Sequence, residues 1–195
     1  METKENIWNN SELAHVLKND GVVVMPTDTI YGILGRAESE AVVNRIYAIR
    51  KRNPEKPCII LIGDISELEK FSVALSPSQE AEIKKYWMNF EEESRPTSIV
   101  LDCVEEKFAY LHRGTNTLAF RLPASPTLRT LLLKVGPLIA PSANLETFPP
   151  NDNVADAKKY FGHDVDMYMD AGTLAGKASR LIRLLKDGSV TILRA

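Results

Sequence analysis

Short apolar runs alternate with segments of helical periodicity along most of this chain, and this alternation limits its fold more than any other feature. Apolar residues in short unbroken runs suit buried strands, whereas apolar residues that recur every three or four positions suit amphipathic helices. Strands are expected at 22–25, 58–62, 98–103, 117–122, 138–140, 165–169, 181–185 and 190–193. Helices are expected at 40–51, 65–71, 77–87, 126–134 and 154–161. Strands that alternate with helices predict an α/β sheet.

The end of the chain refines this sheet. The last two apolar runs flank Lys186-Asp187-Gly188-Ser189, and an Asp-Gly pair favours a tight hairpin turn. A hairpin makes its strands antiparallel, so the predicted sheet is mixed. Because the 195 residues contain no internal repeat and no long linker, we expect a single domain over residues 1–195, with a mixed parallel and antiparallel sheet flanked by helices.

Charge and cysteine content exclude several classes of protein. The chain has 24 Lys and Arg residues against 26 Asp and Glu, so any affinity for RNA or phosphate must be local. Cys58 and Cys103 each interrupt an apolar run, which indicates buried free thiols in a reducing compartment. No segment resembles a signal sequence or reaches the ~18 apolar residues of a membrane span. We therefore expect a cytoplasmic protein that does not enter a membrane.

The common catalytic and metal-binding motifs are missing from the sequence. His15, His112 and His163 have no Cys or His neighbours at metal-ligand spacing, so no protein metal site is predicted. The segment 172–178 is one residue too short for a phosphate-binding loop and lacks the hydroxyl that binds magnesium. A nucleophile elbow and a dinucleotide fingerprint are also absent. Any chemistry must come from other polar segments.

Four polar segments follow or overlap the ends of predicted strands, which is where open α/β sheets bind ligands. They are PTDTIYG at 26–32, RKRNPEKP at 50–57, TLAFRLP at 117–123 and APSAN at 140–144. Taken alone, each is more often a turn, a cap or a cluster of charges at a helix end. A ligand site is indicated only by their combination.

Two of these segments carry positive charge that needs a partner. Five cations and one carboxylate, Glu55, lie between positions 45 and 56. Cations at a helix C-terminus contribute about 0.3–1 kcal/mol each by offsetting the helix dipole. However, the two prolines that follow favour an extended loop, which can place Arg52 and Lys56 around one phosphate chain. Arg121 lies inside an apolar run, on the same strand face as Thr117, and such a charge requires an anionic partner.

Together and in this order, the four segments resemble those of the threonylcarbamoyl-AMP synthase family, which has a YrdC-like domain. The resemblance extends over about residues 10 to 195 and includes SRLIRL at 179–184 and Leu193-Arg194 near the end. It implies a strongly twisted mixed sheet flanked by helices, with a concave basic cavity. It also implies a role in forming threonylcarbamoyladenosine at position 37 of tRNA, in the cytoplasm.

The resemblance assigns two groups of site residues. Those that face L-threonine would be Thr29, Leu61, Arg121, Ala140 and Ser179. Those that contact ATP would be Arg50, Arg52, Lys56, Thr117, Ser142, Asn144, Pro150 and Arg194. Arg52 and Lys56 would be the catalytic residues, since they would offset charge on the phosphates together with Mg²⁺ that accompanies ATP.

The reaction implied by the resemblance is condensation of L-threonine, bicarbonate and ATP into threonylcarbamoyl-AMP, with release of pyrophosphate. The expected partners are these substrates, a downstream tRNA threonylcarbamoyl transferase complex and, more weakly, RNA. Two alternatives stay open: a non-catalytic RNA- or ribosome-associated paralogue, and a related carbamoyl- or nucleotidyl-transfer enzyme with another amino-acid preference.

The sequence departs from the family pattern at three places. Around Trp87 the usual W-P-G-P-L-T is replaced by Trp87-Met88-Asn89 and an acidic insertion before Arg95-Pro96, most of which lies outside the residues that the structure describes. Arg50 replaces the usual first lysine of K-x-R, and the usual S-T-V-V-D becomes Ser179-Arg180-Leu181-Ile182-Arg183. The sequence ends at Ala195, so we expect no C-terminal extension domain.

Overall fold

The computed structural model of the chain describes residues 3–88 and 95–195. Its strands are β1 (Val23–Pro26), β2 (Tyr31–Arg36), β3 (Ile59–Leu61), β4 (Thr97–Asp102), β5 (Thr117–Arg121), β6 (Leu138–Ile139), β7 (Met167–Tyr168), β8 (Arg180–Leu184) and β9 (Val190–Arg194). These strands form one sheet in the order β7-β1-β2-β6-β3-β5-β4-β8-β9. The pairs β1–β7, β3–β5 and β4–β8 are parallel, and the other neighbours are antiparallel. The predicted mixed sheet is confirmed.

Helices flank this sheet, as expected. They are α1 (Lys4–Trp8), α2 (Ser11–Lys18), α3 (Glu40–Arg50), α4 (Pro77–Trp87), α5 (Ala109–His112), α6 (Pro126–Val135) and α7 (Val154–Phe161). Their starts follow from local chemistry. Ser76 and Gln79 form a capping box at α4, and Ser125 caps α6, whose first residue is Pro126. The segment Ile65–Phe71, predicted as an α-helix, is instead a 3₁₀ helix.

The hydrophobic core consists of two clusters, one on each face of the sheet. Along β1, Val24 belongs to one cluster, whereas Val23 and Met25 belong to the other, as the period-two geometry of a strand requires. Helices α3, α4 and α7 contribute buried residues to the first cluster, and α1, α2 and α6 contribute to the second. The sheet is therefore covered on both faces, which fits its parallel pairs.

Strand β2 was not predicted from the sequence. From the sequence, the polar PTDTIYG segment only ends a strand. In the structure the chain turns at 27–30 and returns antiparallel to β1, with Val24 opposite Ile33. Two glycines interrupt the apolar pattern of β2. A Cβ added at Gly35 would collide with Val42 of α3, so glycine permits the close approach of helix and strand.

Other sequence predictions concern smaller features. The hairpin between β8 and β9 is present, and Gly188 provides its positive φ of 88°. Cys58 and Cys103 are both buried and free. Within residues 3–88 and 95–195, no helix is long and apolar enough to cross a bilayer.

Candidate functional site

A cavity of about 460 Å³ opens where the four polar segments meet. The turn between β1 and β2, the loop between α3 and β3, the end of β5 and the segment after β6 all contribute to its wall, together with Ser179 and Arg194. A second cavity, of about 540 Å³, lies between the 3₁₀ helix Ile65–Phe71 and α4, and its lining is mostly apolar. Because the second cavity contains none of the predicted site residues, the chemistry is concentrated in the first.

A chain of hydrogen bonds shapes one end of this cavity. Arg121 Nη2 donates to Thr29 Oγ1 at 3.2 Å, and the hydroxyls of Thr29 and Thr27 are 3.0 Å apart. Thr27 Oγ1 donates to the Ile30 carbonyl at 2.7 Å and accepts from the Thr29 amide at 3.1 Å. If the Thr29 hydroxyl donates to Thr27, every bond in this chain has a donor and an acceptor. The turn therefore holds the Thr29 side chain in one orientation beside Arg121.

Asp28 supplies the anionic partner that the sequence analysis required for Arg121. Arg121 Nη2 and Asp28 Oδ1 are 2.9 Å apart, and the two side chains are 4% and 8% exposed. The anionic partner that Arg121 requires is therefore a carboxylate of the protein itself. Within the described part of the chain, Asp28 Oδ2 and Arg121 Nε are buried without a hydrogen-bond partner, and Arg121 Nη1 makes no hydrogen bond.

Ser179 connects this end of the cavity to the last strand. Its hydroxyl lies 2.8 Å from that of Ser98 in β4, and its carbonyl accepts from Arg194 Nε and Nη2 at 3.1 and 2.9 Å. Burial lowers the pKa of Arg194, and the positive charges of Arg121 and Arg95 lower it further. Arg121 and Arg194 both line the cavity, and the positive charge of one acts on the other, which favours an anion in this part of the cavity.

A second cluster of cations lies around Glu146, and two of its members, Arg52 and Lys56, line the cavity. Glu146 Oε2 is 3.2 Å from Arg52 Nη1, and Oε1 is 3.0 Å from Lys56 Nζ. Partial burial of Glu146 opposes its ionisation, but the hydrogen bond from Lys56 and the charges of Arg52, Lys56 and Arg50 outweigh this and lower its pKa. Along the sequence, Glu55 is the only carboxylate among these cations. The contacts with Glu146 therefore neutralise more of their charge than the sequence predicts.

Arg50 lies behind this cluster and is 2% exposed. Its Nε donates to the Asn144 carbonyl at 2.9 Å, and its Nη2 lies 3.4 Å from both Ser142 Oγ and Asn144 Oδ1. Burial, reinforced by the charge of Arg52, lowers the pKa of Arg50 to about 10. Arg50 therefore supports the Ser142–Asn144 segment from inside the protein.

The structure brings most of the predicted site residues together. Nine of them line the cavity: Thr29, Arg52, Lys56, Arg121, Ala140, Ser142, Pro150, Ser179 and Arg194. Four do not: Arg50, Leu61, Thr117 and Asn144. Leu61 is fully buried in the second core cluster, and the Thr117 hydroxyl bonds Thr115 at the far end of β5. The period-two rule placed Thr117 on the face of Arg121, but its distance along the strand keeps it away from the cavity.

The departures at Arg180 and Arg183 have structural partners in β4, which lies beside β8. Arg180 donates to Thr97 Oγ1 from Nε and Nη2 at 3.2 and 3.1 Å, and Arg183 forms an ion pair with Asp102. Neither residue lines the cavity. The altered residues of SRLIR thus stabilise the sheet, while Ser179 keeps its place in the cavity wall.

A protein metal site is not formed by the described residues, which contain no group of three His, Cys, Asp or Glu side chains that could hold an ion. The residues that the sequence analysis missed are Asp28 and Glu146. Asp28 stands inside the PTDTIYG segment, where its neighbour Thr29 received the role. Glu146 carries no signal of its own, since it becomes important only through contact with Arg52 and Lys56.

Sequence similarity to known proteins shows which family the chain belongs to. The sequence model of the Sua5_yciO_yrdC family, described as "Telomere recombination", matches residues 15–195. The chain belongs to this family. The expected family is thereby confirmed, and the Sua5/YciO/YrdC domain accounts for nearly the whole sequence.

Several relatives carry the name threonylcarbamoyl-AMP synthase. The one from Chromohalobacter salexigens is 30% identical over 190 residues, which are 96% of this chain and 96% of that protein. The one from Bacillus subtilis is 29% identical over 168 residues, which are 85% of this chain but only 44% of that protein. The chain therefore spans less than half the length of some relatives and nearly the full length of others.

Solved structures agree with the fold. P. abyssi Sua5 complexed with L-threonine matches with a TM-score of 0.81 and 26% identity, over all of this chain and 55% of that one. E. coli YciO matches with a TM-score of 0.74 at 22% identity, over 97% of this chain and 89% of that one, which supports the fold alone.

Proposed function

We propose that this chain is a threonylcarbamoyl-AMP synthase, which condenses L-threonine, bicarbonate and ATP into threonylcarbamoyl-AMP and releases pyrophosphate. The observation that carries the proposal is that two clusters line one cavity: the first is Arg121, Thr29 and Ser179, and the second is Arg52 and Lys56. Its volume of about 460 Å³ lies within the roughly 300–1,000 Å³ of small-molecule sites. The names of the relatives and the threonine complex of P. abyssi Sua5 support the same reaction.

The first cluster suits an amino acid. Arg121 and Arg194 repel each other, so a carboxylate between them would be held by both charges and by hydrogen bonds from the guanidinium groups. Thr29 and Ser179 place hydroxyls in the same wall, where they can bond the polar groups of the substrate. Asp28 holds the Arg121 guanidinium in place through their 2.9 Å contact.

The second cluster suits a polyphosphate. Arg52 and Lys56 would bind the phosphates of ATP, with Ser142 as a further donor on the cavity wall. Because the described residues lack a three-ligand metal cluster, we expect Mg²⁺ to arrive with ATP as part of the substrate, held mainly by phosphate oxygens.

The reaction then depends on alignment and charge. The unprotonated threonine amine attacks the carbon of bicarbonate, and a carbamate forms as one water leaves. A carbamate oxygen then attacks the α-phosphorus of ATP, and the bond from that phosphorus to the pyrophosphate oxygen breaks. Arg52 and Lys56 offset the negative charge that grows on the leaving pyrophosphate. The product would serve a downstream tRNA threonylcarbamoyl transferase complex in the cytoplasm, so we propose tRNA modification as the biological role.

The test is pyrophosphate release by purified protein from ATP, Mg²⁺ and bicarbonate, with and without L-threonine. We expect release to require threonine. Lys56→Ala should raise the KM for ATP at least about tenfold, since a charge-assisted hydrogen bond contributes about 1.5–3 kcal/mol. Lys159→Ala is the matched control, because Lys159 is an exposed lysine that also pairs with one carboxylate but lies outside the cavity.

The other outcomes separate the alternatives. Release that is equal with and without any amino acid contradicts the proposal. A requirement for a different amino acid would indicate a related transfer enzyme. Absence of turnover combined with RNA binding that weakens steeply with salt would indicate the RNA-associated alternative.

A further inference from the structure

Glu146 occupies the space between the cations that would bind the phosphates. Its two oxygens lie 3.2 Å from Arg52 Nη1 and 3.0 Å from Lys56 Nζ, while Arg50 Nη1 is 3.8 Å from Oε2. The carboxylate thus stands where an incoming anion would bind. Glu146 is 20% exposed, so these contacts are only partly screened by solvent.

The three side-chain nitrogen atoms of Arg52 have different hydrogen-bond partners. Its Nε and Nη2 donate to the carbonyls of Lys56 and Pro57 at 3.1 and 3.0 Å, which fixes the guanidinium against its own loop. Nη1 is the nitrogen that faces Glu146. A phosphate that binds Arg52 through Nη1 therefore competes with the Glu146 carboxylate for the same group.

Arg50 shows that Glu146 is an imperfect partner. Arg50 is 2% exposed, and its Nη1 has no hydrogen-bond partner among the described residues. At 3.8 Å, Glu146 compensates the charge of Arg50 but does not satisfy this donor. An anion with more oxygens than a carboxylate could do both.

Several hydrogen bonds hold the backbone around Glu146. The Glu146 amide donates to the Arg50 carbonyl at 3.0 Å, and the Asn144 side chain donates to the carbonyls of Leu145 and Phe148. Between these anchors, Thr147 has a φ of 79°, which is unusual for a β-branched residue. The segment is thus anchored at several points but contains one strained residue next to Glu146.

We propose that Glu146 is an internal competitor for the phosphate-binding cations, which it neutralises in the empty site and must release when a polyphosphate binds. This inference rests on the proposed function for the nature of the ligand. It makes Glu146 an affinity-determining residue. The carboxylate lowers affinity for anions that are too small or too weakly charged to displace it, and a triphosphate overcomes this cost.

The test is calorimetric titration of Glu146→Gln and of the wild-type chain with ATP and with inorganic pyrophosphate, each with and without Mg²⁺. Glutamine keeps the size of the side chain but removes its charge. We expect pyrophosphate and ATP to bind the variant about five- to tenfold more tightly at low salt, a change equivalent to about 1–1.4 kcal/mol. The gain should shrink at high salt.

Glu55→Gln is the matched control, since Glu55 lines the cavity beside Lys56 but makes no ion pair within residues 3–88 and 95–195. It removes the same charge from the same loop as Arg52 and Lys56 and should produce a clearly smaller gain. Equal gains in the two variants would mean that general charge, not competition at Arg52 and Lys56, sets the affinity, and would overturn the inference.

The remaining outcomes also decide the question. Unchanged affinity in Glu146→Gln, with both proteins binding ATP, overturns the inference and leaves the proposed function intact. Weaker binding only with Mg²⁺ would make Glu146 a metal ligand, and weaker binding without Mg²⁺ would make it a positioning residue for the cations; either result overturns competition. If neither protein binds ATP or pyrophosphate, the proposed function fails and the inference fails with it.

Discussion

Replacing Arg121 with leucine removes the cationic half of a buried ion pair and leaves Asp28 without a counter-ion. The two side chains are 4% and 8% exposed, and Asp28 Oδ2 already lacks a hydrogen-bond partner among the described residues. The substitution also removes the hydrogen bond from Arg121 to Thr29. Breaking a buried pair by removing one member costs about 3–5 kcal/mol.

This magnitude predicts a measurable loss of stability. For a chain of this length, each kcal/mol corresponds to about 2–4 °C in melting temperature, so we expect a fall of roughly 6–20 °C. The double variant Asp28→Asn/Arg121→Leu should be more stable than Arg121→Leu alone, because it no longer buries an unpaired carboxylate. Urea unfolding of the wild type, both single variants and the double variant provides the coupling energy between the two residues.

The Arg121–Asp28 contact changes the stability expected for Arg121→Leu. Sequence alone suggests that Arg121→Leu should maintain or raise the stability of the free protein, since it removes a charge that only a ligand compensates. The contact with Asp28 reverses the sign of that expectation. If Arg121→Leu is as stable as the wild type and the coupling energy is near zero, the pair does not contribute in solution.

Three further predictions concern Arg52, Gly176 and the ion pair between Arg45 and Asp166. Arg52→Ala should weaken ATP binding by about 1.5–3 kcal/mol in calorimetric titration, because it removes a hydrogen bond to a charged group; unchanged affinity would place the phosphates elsewhere. A Cβ added at Gly176 would overlap the Thr29 carbonyl, so Gly176→Ala should lower both the melting temperature and the threonine affinity, and a silent variant would contradict the packing of this segment on the turn. The hydrogen bond from Arg45 lowers the pKa of Asp166 below its ordinary 3.8, so this pair stabilises the fold above that pH and loses its effect as the pH falls through the lowered pKa. The stability difference between the wild type and Asp166→Asn, followed by urea unfolding from pH 7 to 3, should therefore shrink on acidification, whereas a constant difference would exclude the ion pair as its cause.

The parts of the fold that sequence could predict are those with local causes. Ser125 and Pro126 specify the start of α6, and the Asp187-Gly188 pair specifies the final hairpin. Strand β2 escaped prediction because Gly32 and Gly35 replace the side chains that would reveal its alternation. These glycines serve close packing, which a single sequence does not show.

The site, like the fold, could be predicted where its features are local in the sequence. Its segments could be identified because each holds polar residues at or near a strand end, and the fold brings nine predicted residues to one cavity. The pairings were not predictable. Arg121 and Asp28 are 93 positions apart in the chain, and Lys56 and Glu146 are 90 apart, so only the folded topology decides which charges meet. These two carboxylates offset part of the positive charge that the sequence assigned to Arg121, Arg52 and Lys56.

We propose that residues around one cavity join threonine, bicarbonate and ATP into a single product. The most direct measurement is mass spectrometry of the reaction mixture after incubation with ATP, Mg²⁺, L-threonine and ¹³C-labelled bicarbonate. We expect an adduct of AMP that contains threonine and one labelled carbon, formed together with pyrophosphate, and less of it from the Lys56→Ala variant at ATP concentrations below the raised KM. Pyrophosphate release with an unlabelled adenylate, or with no threonine adduct, would contradict the proposed reaction.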